Sequence, residues 1–412
     1  MNNDPTYQQP LCSPCATCDE SNTTTTRKQD ENETKTTAND TVRCVPQLRF
    51  PEFQNAGEWE ETIVEDVIKT LTPPKKLQSK EFKTIGKFPI IDQSQVYICG
   101  YSDDETAILN KDSQELIIFG DHTCILKLVN FPFIQGADGI KIFKSKNKKR
   151  LNTKFLYYIL QHFHIEPIAY KRHFSELRNK KILFPSSPKE QQKIASCLLS
   201  IDDNISAMAK ELESLRTHKK ALLQKLFPQH GKTTPELRFP EFQSAGEWES
   251  KRLGEIITVN SGRDYKHLKY GDVPVYGTGG YMLSVDDYLS DVDAIGIGRK
   301  GTIDKPQYLK APFWTVDTLF FLTCKEGYNT KYMYYLSQTI PWKKYGEQTG
   351  VPSLSKTAIE NLEIMIPSNV NEQKGIADVL STLDRAEELL SNKILLLQQH
   401  KEGLMQKLFV RL

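Results

Sequence analysis

The sequence predicts an α+β chain in which two mixed α/β domains of one architecture are separated by two long antiparallel coiled-coil helices, the whole forming an internal pseudo-twofold repeat. Three observations predict it. A helical stretch, residues 187–227, returns at an offset of 182 residues without a gap: Glu190, Gln191, Ile194, Ala195 and Gln224, Lys225, Leu226, Phe227 become Glu372, Gln373, Ile376, Ala377 and Gln406, Lys407, Leu408, Phe409. A second segment, 46–60, returns as 235–249 with the shared run Leu-Arg-Phe-Pro-Glu-Phe-Gln. Between these repeats the two halves carry short β-type runs in a similar order but with different contents.

Composition sets the outer bounds. The chain has 412 residues, 38% hydrophobic and 26% charged, which suits a soluble protein of two or three domains. It has no apolar run long enough to cross a bilayer and no signal-peptide pattern at its start, so a cytoplasmic protein with no membrane partner is expected. The net charge is only +2, and no global basic excess announces a polyanion.

Taken in order, residues 1–45 form a polar tail, rich in Asn, Thr, Asp, Glu and Lys, that cannot bury enough surface to repay ordering. Cys12, Cys15 and Cys18 in this tail, with Cys44 as a distant fourth thiol, lack the two clean ligand pairs of a structural zinc site, so no metal is assigned. Cys99, Cys124, Cys197 and Cys324 stand singly and read as core thiols.

Residues 46–185 form the first domain. Its opening aromatics, Phe50, Phe53 and Trp59, match Phe239, Phe242 and Trp248 and read as a clasp fixing each domain to a common frame. Strands are expected at 95–99, 115–119 and 124–129, then a Tyr-rich helix over 152–162 and a last strand at 181–185.

Residues 186–230 form the first spacer helix. Ser187 is placed as N-cap, Pro188 at the first helical position and Glu190 as the partner of a capping box. Ile194, Leu198, Ile201, Ile205, Met208, Leu212, Leu215, Leu222 and Leu226 follow steps of four and three, broken only by Lys219, which is a 3.5-residue seam.

Residues 231–367 repeat the domain, with strands at 293–297 and 318–322, a Tyr-rich helix over 329–338 and a final strand at 363–367. Residues 368–412 form the second spacer helix. Asn369 and Glu372 repeat the cap, and Ile376, Leu380, Leu383, Leu390, Ile394, Leu397, Leu404 and Leu408 repeat the seam, broken by Glu387 and Lys401. Few residues separate the first helix from the second domain, so paired helices must run antiparallel with one domain at each end. Each would span about 55 Å at about 1.5 Å per residue.

With the repeats in view, residues 46–412 resemble the DNA specificity subunit of type I restriction-modification systems. The signals are the run 135–141 (Gln-Gly-Ala-Asp-Gly-Ile-Lys), the glycine runs 274–281 and 298–303, Glu-Gln at each helix start and Leu-Gln-Lys-Leu-Phe at 223–227. The resemblance implies a non-catalytic subunit that reads a two-part asymmetric site on double-stranded DNA, one part per target-recognition domain. It also implies two methyltransferase subunits and motor-nuclease subunits as partners, with S-adenosylmethionine, ATP and magnesium bound there and no cofactor in this chain. In keeping with this, the sequence has no Gly-x-x-x-x-Gly-Lys-Ser/Thr loop and no Asn-Pro-Pro-Tyr or Asp-Pro-Pro-Tyr run. A coiled-coil scaffold that binds proteins only, without reading DNA, is the competing class.

Phosphate contact needs Lys or Arg on one face, and base readout needs polar side chains that project into a groove. In the first half the candidates are Lys141, Lys144, Lys146, Lys148, Lys149 and Arg150, then Lys171 and Arg172. In the second they are Arg299 and Lys300 between two glycines, Tyr276, Thr278 and Tyr281 around a glycine turn, a rim of Arg263 and Lys266, and Gln348.

Overall fold

The computed structural model describes residues 44–137, 139–163, 165–168, 171–229, 231–346 and 351–410. They belong to one compact unit that begins at Cys44. The tail with Cys12, Cys15 and Cys18, and the candidate Gln348, lie outside the described residues. Among the described residues no His, Cys, Asp or Glu cluster is arranged to hold a metal ion, and no helix is long and apolar enough to cross a membrane.

The two long helices run from Pro188–Leu226 and Val370–Leu408, 39 residues each. They are antiparallel. Ile194, Ala195 and Leu198 of the first share one core with Met405, Leu408 and Phe409 at the end of the second, while Leu226 and Phe227 share another with Ile376, Ala377 and Leu380. In the middle of the seam Ile201, Ile205, Met208, Leu215, Leu383, Leu390, Ile394 and Leu397 are half-buried, as is Leu222 nearer the end, while Leu212 is buried. Two helices alone cannot enclose an apolar stripe, and only the ends receive a domain as a third wall. The lysines that break the seam each find a carboxylate on the opposite helix: Lys219 meets Asp384, and Lys401 meets Asp202 at 2.7 Å. Burial pulls the Lys219 ammonium down, and the hydrogen bond and charge of Asp384 more than offset this, leaving its pKa raised.

The helix starts depart from the capping-box expectation. Ser187 makes no side-chain cap bond, although the Asn369 side chain does accept from the Asn371 amide. Glu190 and Glu372 turn inward instead, and each receives a two-pronged guanidinium, from Arg49 and Arg238 respectively, at 2.7 and 2.8 Å. Their neighbours complete the anchor. Gln191 accepts from the Asn152 amide and donates to the Arg150 and Pro185 carbonyls, and Gln373 accepts from Asn329 and donates to Pro367. The repeated Glu-Gln pair therefore binds each domain to its helix.

Each domain is built on the same four-stranded antiparallel sheet. In the first the spatial order is Ile68–Leu71, Ile140–Ser145, Leu116–Gly120, Leu126–Val129; in the second it is Ile257–Ser261, Leu319–Cys324, Ala294–Gly298, Gln307–Leu309. A Tyr-rich helix packs beneath it, Thr153–His162 capped by Asn152 or Thr330–Thr339 capped by Asn329. The strands Lys181–Phe184 and Glu363–Ile366 close each domain against Glu60–Ile63 and Glu249–Arg252. The second layers differ: a five-stranded sheet containing Phe88–Ile91 and Phe133–Gly136 in the first domain, and a three-stranded sheet built on the hairpin Tyr270–Gly277 and Gly280–Val285 in the second.

Three expectations need correction. Residues 95–99 are a loop and not a strand, because buried Lys127 gathers the carbonyls of Asp92 and Val96 at 2.9 and 2.6 Å and folds the backbone around its ammonium. The clasp rests on tryptophan: Trp59 packs on Phe155 and Phe409, and Trp248 on Phe227 and Tyr332, whereas Phe53 and Phe242 end short 3-10 turns outside the cores. Cys99, Cys124, Cys197 and Cys324 are only partly buried.

Candidate nucleic-acid interface

In the second domain the loop after Ala294–Gly298 carries Arg299 and Lys300. Its shape is imposed at both glycines. A side chain at Gly298 would lie 2.2 Å from the Thr302 carbonyl, and Gly301 holds φ +81°. The loop is then stitched to its neighbours: the Arg299 amide donates to Thr318, and the Arg299 carbonyl accepts from Leu354 at 2.9 Å. The Gly301 amide donates to Pro352 at 3.0 Å. With the backbone held, both basic side chains are exposed, and the Arg299 guanidinium lies 5.7 Å from the Phe320 ring.

Two open clefts meet at Ser261 beside this loop. One, of about 410 Å³, is lined by Arg299, Lys300, Phe320, Ser353 and Lys356; the other, of about 430 Å³, by Asn260, Gly262, Arg263 and Tyr288. Arg263 is fixed through its backbone, its amide donating to Thr315 and its carbonyl accepting from the Trp314 indole. Its side chain remains exposed, as does that of Lys266. Among the described residues Arg263, Lys266, Arg299 and Lys300 form no ion pair, so their charge is available to an incoming anion.

The hairpin tip lies between Gly277 and Gly280 and is pinned by Gln307, whose amide donates to the Gly277 and Thr278 carbonyls. Thr278 is half-buried. Tyr276 packs edge-on against Tyr281 at 6.5 Å, and burial raises its hydroxyl pKa. Tyr281 is 63% exposed and Tyr270 91%, which leaves two large aromatic faces on the surface of this hairpin.

The first domain reuses the frame with other residues. The loop after Leu116–Gly120 carries Asp121 and His122, and the Asp121 carbonyl accepts from His173 at 2.9 Å, the same bond that Arg299 makes with Leu354. The buried Asp121 carboxylate also accepts from the Phe174 amide, and His122 Nδ1 lies 3.1 Å from the Lys171 carbonyl. Lys171 and Arg172 thus stand where the second domain places Pro352 and Ser353, and the basic pair has moved to the facing loop. Arg172 is exposed, while Lys171 pairs with Glu176 at 3.2 Å.

The basic run of the first half does not gather with them. Lys141 is the second residue of the strand Ile140–Ser145, next to the Asp121 loop; Lys144, three positions on, emerges from the other face and donates to Gln114. Lys146, Lys148, Lys149 and Arg150 follow the far end of this strand, about 17 Å away at about 3.4 Å per residue. There Lys148 pairs with Glu115 at 3.5 Å, and Arg150 pairs with Glu60 and lies over Phe184. His122, Ser261, Tyr288 and Lys356 were not singled out in the sequence. None belongs to a charge run or glycine motif, and folding alone brings them to these loops.

Comparison with known proteins follows the same duplication. The family model described as type I restriction modification DNA specificity domain matches the chain twice, over residues 56–217 and 245–399. The type I restriction enzyme EcoR124I/EcoR124II specificity subunit of Escherichia coli is 25% identical over 354 residues, 77% of this chain and 85% of that protein. The MjaVIII specificity subunit of Methanocaldococcus jannaschii is 24% identical over 267 residues, 56% of this chain and 61% of that protein. The crystal structure of a type I restriction-modification system S subunit from M. genitalium shares the fold, with a TM-score of 0.68 at 20% identity over 89% of this chain and 100% of that one.

Proposed function

The chain belongs to the type I restriction-modification DNA specificity family, and from that premise we propose that its two domains read the two parts of an asymmetric DNA site. The observation that carries this reading is one sheet frame presenting two different loop sets at opposite ends of an antiparallel helical pair. The second domain engages DNA through Arg263, Lys266, Arg299 and Lys300 on phosphates and guanine edges, with Thr278, Tyr276 and Tyr281 at the hairpin. The first engages it through Lys171 and Arg172, with Lys141 beside them. Lys144, Lys146, Lys148, Lys149 and Arg150 form a second basic edge nearer the helical frame.

On this reading the chain performs no chemistry. It carries two methyltransferase subunits that use S-adenosylmethionine on adenine, and motor-nuclease subunits that use ATP and magnesium, in the cytoplasm. The exposed leucines of the second helix, Leu389, Leu395 and Leu396, offer an apolar surface on which a partner subunit can dock.

The test is to map adenine methylation in cells that express the chain with its methyltransferase, against cells lacking this chain alone. A two-part asymmetric motif that disappears with the chain supports the reading. Methylation that persists unchanged removes it and restores the protein-only scaffold, which would show no DNA affinity of the kind that falls with rising salt.

A further inference from the structure

Each Tyr-rich helix meets both long helices at a single carboxylate. In the first half Asp202 Oδ2 accepts from the Tyr158 hydroxyl at 2.9 Å, and both Asp202 oxygens accept from Lys401 of the opposite helix, at 2.7 and 2.9 Å. Lys401 also lies 5.3 Å from the Tyr158 ring centre and 3.4 Å from the Gln161 amide oxygen. In the second half Asp384 accepts from Tyr335 and from Lys219, with Glu387 3.6 Å from the same ammonium. Asp202 and Asp384, and Lys219 and Lys401, are related by the 182-residue repeat, so both halves keep this junction although their second sheets differ.

The junctions lie one helical turn inward of the apolar cores. Leu198 precedes Asp202 on the first helix, and Met405 follows Lys401 on the second. Apolar packing is non-directional and would by itself allow a domain to tilt about its end of the helical pair. A hydrogen-bonded carboxylate that joins three elements is directional, and at these junctions the carboxylates of Asp202 and Asp384 are half-buried while their lysine partners are largely covered. A change of one base pair in the gap between half-sites moves one against the other by about 3.4 Å and turns it by about 34° around the DNA axis. The angle of each domain on the pair therefore matters to the spacing that can be read.

We infer that each Tyr-Asp-Lys junction holds its recognition domain at a fixed angle on the helical pair, and that the two junctions together decide which gap between half-sites is accepted. Tyr158, Tyr335, Lys219 and Lys401 are positioning residues that touch no DNA. The inference rests on the two-part reading proposed above.

The experiment uses the full chain with its methyltransferase in cells holding a plasmid library of the mapped half-sites at the native gap and at gaps one base pair shorter and longer. Tyr158→Phe, Tyr335→Phe and Lys401→Met are compared with the wild type, and Leu212→Ala, a buried seam residue between the junctions, serves as the control for lost stability. The expected result is unchanged half-site letters and about a tenfold rise in off-gap relative to native-gap methylation, the size that one directional hydrogen bond allows, with no such rise in Leu212→Ala. The inference is overturned if the junction variants keep the wild-type gap ratio, if Leu212→Ala raises it equally, if half-site letters change, or if every junction variant fails to fold. A wild-type map with no two-part motif would instead sink the two-part reading itself.

Discussion

Arg49 and Arg238 show how much of the architecture rests on single side chains. Glu190 and Glu372 are fully buried, and each is matched by one guanidinium in two-pronged geometry. Arg49→Ala leaves the Glu190 carboxylate uncompensated in the core, and the expected loss is about 3–5 kcal/mol in denaturant unfolding. Arg49→Lys should recover little of it, because an ammonium cannot reproduce the planar fork. At the interface the contrast is between free and paired cations. Arg299→Ala and Lys300→Ala should each weaken DNA binding and lower the slope of log affinity against log salt by about one, whereas Lys148→Ala, which loses a pair with Glu115, should leave the slope close to wild type. Two thiols give a pH prediction. Burial pushes Cys99 and Cys324 up to about 11, so both stay protonated at pH 8 and gain thiolate character only as the pH approaches that value. Alkylation followed by mass spectrometry should find both slow at pH 8 and accelerating toward pH 11.

The helical pair acts as a ruler whose register is set at two places. Asp202 opposite Lys401 and Lys219 opposite Asp384 bracket the segments 203–218 and 385–400, and each helix of 39 residues spans about 58 Å. One heptad inserted into both segments preserves the seam and both junctions while adding about 10.5 Å. Methylation mapping should then return the same half-sites with the gap wider by about three base pairs. The same insertion in one helix alone leaves at most one junction in step and should reduce methylation at every gap. The helices were legible in the sequence because a 3.5-residue apolar period over this length has few other solutions. Their capping was not: Ser187 and Glu190 fit a capping box in one dimension, and only the approach of Arg49, 141 positions away, turns Glu190 inward.

At the scale of the whole molecule the frame is twofold and the loops are not. A chain in which the first domain and its helix also replace the second pair should present one loop set twice, and its methylation motif should be an inverted repeat of a single half-site. Sequencing of methylated plasmid would show this, and an asymmetric motif from such a chain would contradict the assignment of one half-site per domain. By itself the sequence determined the duplication, the two domains and the antiparallel helices, because these are written as local periodicity, as repeated runs such as 46–60 and 235–249, and as the short connection after the first helix; the family followed from resemblance. Tertiary structure alone decided which charges meet. Lys171 and Arg172 come beside the Asp121 loop from 49 positions away, as the contact of His122 with Lys171 records, while Lys146, Lys148, Lys149 and Arg150, close in sequence to Lys141, are carried to the other end of a strand. The physical reason is that an interface is assembled from loops at one edge of a sheet, and the strands between them set distances that no linear spacing contains.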